Sequence, residues 1–112
     1  MNSSVSPLQL RILNNLRNGS KQAIKGKELA RLLGYKDDRK VRLEIRELIR
    51  RLYPIGSSTE EPAGYFLIDT PEEATRYMAV LKSRLVEDAY RLRDIKVSTH
   101  LLRNPEQLTL EG

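Results

Sequence analysis

The 112 residues include no cysteine and a single histidine, His100. Without thiols there can be no disulfide, thiolate zinc site, iron–sulfur ligand or cysteine nucleophile, and one imidazole cannot make a multi-histidine metal site. Scattered serines and aspartates without a second histidine form no catalytic triad, and no glycine-rich phosphate loop is present. His100, among Leu101, Leu102 and Arg103, reads as packed or exposed rather than catalytic. The chain is therefore expected to be a non-enzyme with neither metal nor cofactor. Aromatics are scarce at 5%, beside 39% hydrophobic and 31% charged residues, a balance too polar for a membrane protein and too apolar for a disordered one. No run approaches the ~18 apolar residues of a spanning helix, and Met1 to Pro7 lacks the marks of a secretory signal. A cytoplasmic protein without membrane contact is expected.

What the chain has in excess is positive charge, unevenly placed. The formal net charge is +5, but residues 1–56 hold 13 Lys/Arg against 5 Asp/Glu and residues 57–112 hold 7 against 10. A basic half points to a polyanionic partner, and nucleic acid is the commonest one for a soluble protein.

Local signals divide the chain. Ser6 precedes Pro7 as N-cap before a first-turn proline, and Leu8, Ile12, Leu13 and Leu16 recur at helical spacing. Asn18-Gly19-Ser20 is expected to end that helix, because glycine readily takes the left-handed conformation there. Gln22 to Lys25 has room for no more than a minimal strand. A short second helix reads from Lys27 to Leu33, with Leu29, Ala30 and Leu33 inward and Gly34 as its stop. Beyond Tyr35 and Lys36, Asp37 or Asp38 can cap a third helix over 38–52, with Val41, Ile45, Leu48, Ile49 and Leu52 as its apolar stripe and Pro54 beyond its end. Two β-prone runs, 55–58 and 64–68, flank Thr59 to Ala63 and read as a hairpin with a five-residue loop. Thr70-Pro71-Glu72-Glu73 combines an N-cap, a first-turn proline and a capping-box glutamate. From there Ala74, Tyr77, Met78, Leu81, Leu85, Ala89, Leu92 and Ile95 carry an apolar stripe through at least Lys96, a helix of ~39 Å at 1.5 Å per residue. Val97, Ser98 and Thr99 lower helix propensity, and Asn104-Pro105 breaks any continuation.

The order helix, short helix, tight turn, third helix, hairpin covers Pro7 to Ile68, with Leu29-Ala30-x-x-Leu33-Gly34-Tyr35 at the turn and Ile55-Gly56-Ser57-Ser58 and Gly64-Tyr65-Phe66-Leu67-Ile68 as strands. It resembles the winged helix-turn-helix domain of small bacterial and phage proteins. The expected fold is mainly α with a small β-hairpin: a winged helix-turn-helix domain at 1–69, a helical dimerisation arm at 70–103 and a flexible tail at 104–112. The resemblance implies that 38–52 is a recognition helix for the major groove of double-stranded DNA. On a helical wheel Arg39, Lys40, Leu43, Arg46, Glu47 and Arg50 lie opposite the apolar stripe. The N-terminal turns sit nearest base edges, so Arg39, Lys40, Leu43 and Arg46 are the candidate readers, the cations for guanine acceptors and Leu43 for a thymine methyl. Arg39, Arg42, Arg46 and Arg50 stand three or four residues apart, a repulsive arrangement that phosphates would make attractive; a solvated basic face is the plain alternative. Lys21, Lys25, Lys27 and Lys36 occupy positions from which such proteins reach phosphate. Glu60 and Glu61 stand at the wing tip, so Ser57, Ser58 and Thr59 are expected at most to brush the backbone. Tyr65 and Phe66 are read as packing residues, one of them on the core face. The reading is sequence-specific DNA binding by a transcriptional regulator.

A second reading, from another class, is a winged-helix adaptor making protein contacts in a bacterial or phage replication assembly. Gln107-Leu108-Thr109-Leu110 is similar to the start of the peptides that dock on the bacterial sliding clamp, with Glu111 where those peptides end in a large residue. In the last helix Ala74, Met78, Leu81, Leu85, Leu92 and Ile95 fall on alternating four- and three-residue steps interrupted by Asp88, the seam of a short coiled coil with one polar position. A homodimer through this helix is expected; folding of Leu85, Leu92 and Ile95 back onto the first helix of the same chain is the alternative.

Overall fold

The computed structural model describes residues 5–103. Helix α1 (Pro7–Asn15) opens with a capping box: Gln9 N–H donates to Ser6 Oγ at 3.1 Å and Ser6 N–H donates to Gln9 Oε1 at 3.0 Å, so two otherwise orphaned amides are satisfied reciprocally. The helix stops at Asn15, earlier than Asn18-Gly19 suggests, because Leu16 already has extended backbone while its side chain stays buried. Gly19 does adopt positive φ, but in the loop ahead of a 3₁₀ turn at Ser20–Gln22.

Helix α2 (Gly26–Leu32) ends as expected at Gly34. Tyr35 N–H donates to Ala30 O at 2.9 Å and Gly34 N–H to Arg31 O at 3.1 Å, with Gly34 at φ +89°, the paired bonds of a Schellman stop. Helix α3 (Arg39–Arg50) follows, its first amide donating to Asp37 Oδ1 at 3.0 Å. The same stop recurs at its end without a glycine: Tyr53 N–H reaches Leu48 O at 3.1 Å and Leu52 N–H reaches Ile49 O at 2.9 Å, with Leu52 itself at φ +73°. This corrects the expected 38–52 span and its stripe. Val41, Ile45 and Leu48 are buried, whereas Ile49, at the edge of the stripe, is 44% exposed, and Leu52, carried off the core face by the left-handed turn, is 89% exposed.

Strands β1 (Ile55–Ser58) and β2 (Gly64–Leu67) form the antiparallel hairpin, with Ile55 opposite Leu67 and Ser58 opposite Gly64. On its other edge β2 is held by the loop after α1: Gly19 N–H donates to Leu67 O, Leu67 N–H to Arg17 O, Ile24 N–H to Tyr65 O and Tyr65 N–H to Ile24 O, at 2.7–2.9 Å. The one-residue bridge at Ile24 is all that forms of a strand at 22–25. Gly64 lies in this clasp at φ +129°, where a Cβ would sit 2.1 Å from Ile24 O. Phe66 is the buried aromatic, its ring covering Gly56, and Tyr65 packs half-buried against the core.

Ile12, Leu16, Leu29, Ala30, Leu33, Val41, Ile45, Leu48 and Ile55 form one buried cluster drawn from all three short helices and β1. Each large aliphatic side chain buried there contributes about 1.5–3 kcal/mol. Helix α4 (Pro71–Arg103) starts where Thr70 predicts, with Glu73 N–H donating to Thr70 Oγ1 at 3.1 Å. The buried Glu73 carboxylate also accepts from Asp69 N–H at 2.9 Å and from Ser20 N–H at 2.8 Å. The helix runs through Val97-Ser98-Thr99, which the propensities had marked as weak, to Arg103; Ser98 Oγ donates to the Asp94 and Ile95 carbonyls of its own helix. The chain divides after Ala74 into two compact units, the second represented among the described residues by the remainder of α4. The tail at 104–112, with Gln107 to Leu110, lies outside the described residues.

Candidate functional site

The outward side of α3 carries the densest grouping of cations in the first unit. Burying Val41, Ile45 and Leu48 orients the helix so that Arg39, Arg42, Leu43, Arg46 and Arg50 fall on the exposed side. Gln9 secures this orientation from α1. It is 4% exposed, and its Nε2 donates to Glu44 Oε1 at 2.9 Å. Glu44 in turn pairs with Lys40 at 3.2 Å, which draws Lys40 to the flank of the helix rather than the centre of the basic face.

The cations of α3 are therefore not equivalent. Arg42 stands 3.6 Å from Asp38, whereas no carboxylate partner is recorded for Arg39, Arg46 or Arg50 among the described residues. The first turn of α3 has no acidic residue and begins Arg39-Lys40. Cations at a helix N-terminus oppose the helix dipole; here Asp37 caps the first amide and Asp38 stands at the N-cap beside Arg42, which offsets part of that cost. Arg50 sits at the opposite end, where the dipole favours it. Leu43 is 55% exposed between the arginines. Asp37, Asp38, Arg39, Arg42, Leu43 and Arg46 line one open depression of ≈ 610 Å³.

Of the lysines expected to reach phosphate, Lys21, Lys27 and Lys36 are exposed and form no ion pair among the described residues, while Lys25 lies 3.9 Å from Glu61 of the hairpin loop. The Ser58 hydroxyl is used within that loop, donating to Glu60 O and accepting from Glu60 N–H, both at 3.1 Å; Ser57 beside it is half-buried. Both hairpin serines are thus half-buried, whereas Arg39 and Arg46 are exposed. Arg31, outside this face, is held more firmly protonated than usual by its hydrogen bonds to Glu28 and by that carboxylate's charge.

Sequence reasoning missed Gln9 and Glu44 as positioning residues. The S-x-x-Q spacing from Ser6 to Gln9 was the available signal for the cap, but nothing local marks the bond from Gln9 to Glu44. Met78, Leu81, Leu85, Leu92 and Ile95, the expected dimer contacts, are all exposed on α4.

No group of three or more His, Asp or Glu side chains that could hold a metal occurs among the described residues, and no helix among them is long and apolar enough to cross a membrane. Comparison with protein-family models, curated proteins and solved structures finds no match to this chain.

Proposed function

We propose that this chain binds double-stranded DNA in a sequence-dependent manner, as a transcriptional regulator, with α3 in the major groove and the hairpin as the wing of a winged helix-turn-helix domain. The observation that carries the reading is the outward face of α3, where Arg39 and Arg46 have no carboxylate partner among the described residues and flank the exposed Leu43. The two guanidiniums suit guanine O6 and N7, and the leucine suits a thymine methyl. Lys21, Lys27 and Lys36 are suited to phosphate, which fixes register without reading sequence. Lys25, paired with Glu61, contributes less until that pair opens.

Selection of bound fragments from a random duplex library, followed by titration of the enriched duplex across a salt series, tests the reading. One enriched motif is expected, and for about five phosphate contacts the log–log salt slope should lie near −4 to −5. No enrichment, or a slope near zero, would remove the proposal.

A further inference from the structure

The part of α4 beyond Ala74 carries a long apolar seam that is exposed among the described residues. Met78, Leu81, Leu85, Leu92, Ile95 and Leu102 follow one another at three-, four- and seven-residue spacings, and all are exposed, Leu85 at 70% and Leu102 at 73%. Solvent gives no reason for six large side chains in such a row. The step between Leu85 and Leu92 falls on Asp88, the one charged residue in the seam.

The residues bordering the seam decide what can cover it. On one side stand Lys82, Ala89, Lys96 and Arg103; on the other stand Tyr77, Arg84, Arg91 and Ser98. Every charged residue on either border is basic. Arg91 lies 4.0 Å from Asp88, whereas Lys82, Arg84, Lys96 and Arg103 have no carboxylate partner recorded among the described residues. Glu87 and Asp94, the other carboxylates beyond Ala74 among the described residues, lie further round the helix.

A second copy of the same helix would meet this border badly. In a parallel pair the borders face each other five residues apart, which sets Arg91 against Lys96 and supplies no carboxylate to Lys82 or Arg103. In an antiparallel pair each border faces itself, and the contacts are again basic against basic or basic against neutral. A lipid surface fits no better. It would bury Asp88 in the middle of the apolar seam among hydrocarbon chains that offer it no donor, whereas a partner helix can place a polar side chain opposite that one position.

We propose that this seam is the docking surface for an amphipathic α-helix of a partner protein whose apolar stripe is bordered by Glu and Asp. The apolar stripes pack as knobs into holes, and the partner's carboxylates meet Lys82, Arg84, Lys96 and Arg103. The surface belongs to α4 alone, so it stands or falls independently of DNA binding by α3.

The test uses the full chain and two synthetic helical peptides of about four heptads, both with Leu along the stripe except for one Asn to meet Asp88, one with Glu and one with Lys at the border positions. Sedimentation of the chain alone at tens of micromolar should give a single species of 12.9 kDa. The Glu peptide should bind one to one and the Lys peptide at least about tenfold more weakly, with the difference shrinking as salt rises. Leu85→Asp with Leu92→Asp should abolish binding. Lys82→Glu with Lys96→Glu leaves the seam and the three border arginines intact and should erase most of the preference between the peptides at unchanged helical circular dichroism. Equal binding of both peptides, binding of neither, or a preference untouched by the lysine reversal would overturn the proposal. A chain that sediments as two copies would also overturn it, and would make the second copy the occupant.

Discussion

Helices α3 and α4 use the same period for opposite ends. In α3 the apolar positions Val41, Ile45 and Leu48 are buried and the cations occupy the middle of the exposed face. In α4 the apolar positions are themselves exposed, Glu73 alone is buried, and the cations border the apolar stripe. A stripe at helical spacing therefore does not show that the stripe is covered, and in α4 the exposed Val80, Val86, Tyr90 and Val97 lie off it. The position of charge relative to the stripe adds what the stripe omits. Cations opposite a covered stripe form a face for a polar, anionic ligand, whereas cations beside an open stripe select what may lie along it.

The largest test of this contrast is one substitution made in both helices. Leu48→Ala should lower unfolding stability by about 2–5 kcal/mol, the transfer and cavity terms of a buried leucine, because Leu48 is 0% exposed in the core. Leu85→Ala should change it by less than about 0.5 kcal/mol, as expected for a surface site. Urea unfolding of both variants measures the difference. Equal losses would mean that the α4 seam is covered within the folded chain, and the contrast would fail.

Next in size is the effect on DNA. Arg39→Ala and Arg46→Ala should each remove about 1–3 kcal/mol of discrimination between the enriched duplex and a scrambled one. Lys27→Ala and Lys36→Ala should weaken both duplexes alike and flatten the salt slope by about one each. Lys82→Ala with Lys96→Ala should leave both affinities unchanged. Fluorescence anisotropy titrations of the six residues separate the cases, and loss of DNA affinity on changing the α4 lysines would erase the division of labour between the two helices.

How much of this could be read beforehand follows from the range of the forces. Ser6-Pro7, Gly34, the hairpin around Thr59 to Ala63 and the Thr70 cap were legible because each is set by contacts three to five residues apart. The arginine face of α3 was legible from periodicity alone. The early end of α1 and the left-handed stop at Leu52 were not, since neither Leu16 nor Leu52 carries a turn signal: Leu16 leaves the helix while its side chain stays buried, and the turn at Leu52 is closed by backbone bonds to Leu48 and Ile49. Nor was the need for glycine at position 64, which comes from the Ile24 carbonyl on a distant segment. Among the cations, the pairing of Lys40 with Glu44 stands at the i, i+4 spacing of one helix, whereas that of Lys25 with Glu61 joins distant segments and no spacing shows it.

The bond between Gln9 and Glu44 gives an intermediate effect. Gln9→Ala removes a buried amide that both caps α1 and holds α3, and should cost about 1–2 kcal/mol. Its counterpart in α4, Ser98→Ala, deletes a hydroxyl that bonds only carbonyls of its own helix and should stay within about 0.5 kcal/mol of wild type. Thermal unfolding of the two variants checks the pair. A Gln9 variant as stable as the Ser98 one would mean that α3 is oriented by its apolar contacts alone.

The smallest expected change is a gain, and it lies at the end of α3. Leu52 holds φ +73° with its side chain 89% exposed, so the residue bears the strain of a left-handed conformation and recovers almost nothing from burial. That strain is about 1–2 kcal/mol for a residue with a Cβ. Glycine removes it but widens the unfolded ensemble, which returns about 0.4–1 kcal/mol. Leu52→Gly should therefore stabilise the first unit by about 0.5–1 kcal/mol, the difference between those two terms, seen as a higher urea midpoint at an unchanged slope. Leu52→Ala keeps the Cβ and the strain and should show no gain, which separates backbone relief from loss of an exposed apolar group. If instead Leu52→Gly lowers the midpoint, the leucine side chain has a partner that covers it, and the end of α3 would have to be grouped with the open seam of α4 rather than with its own buried face.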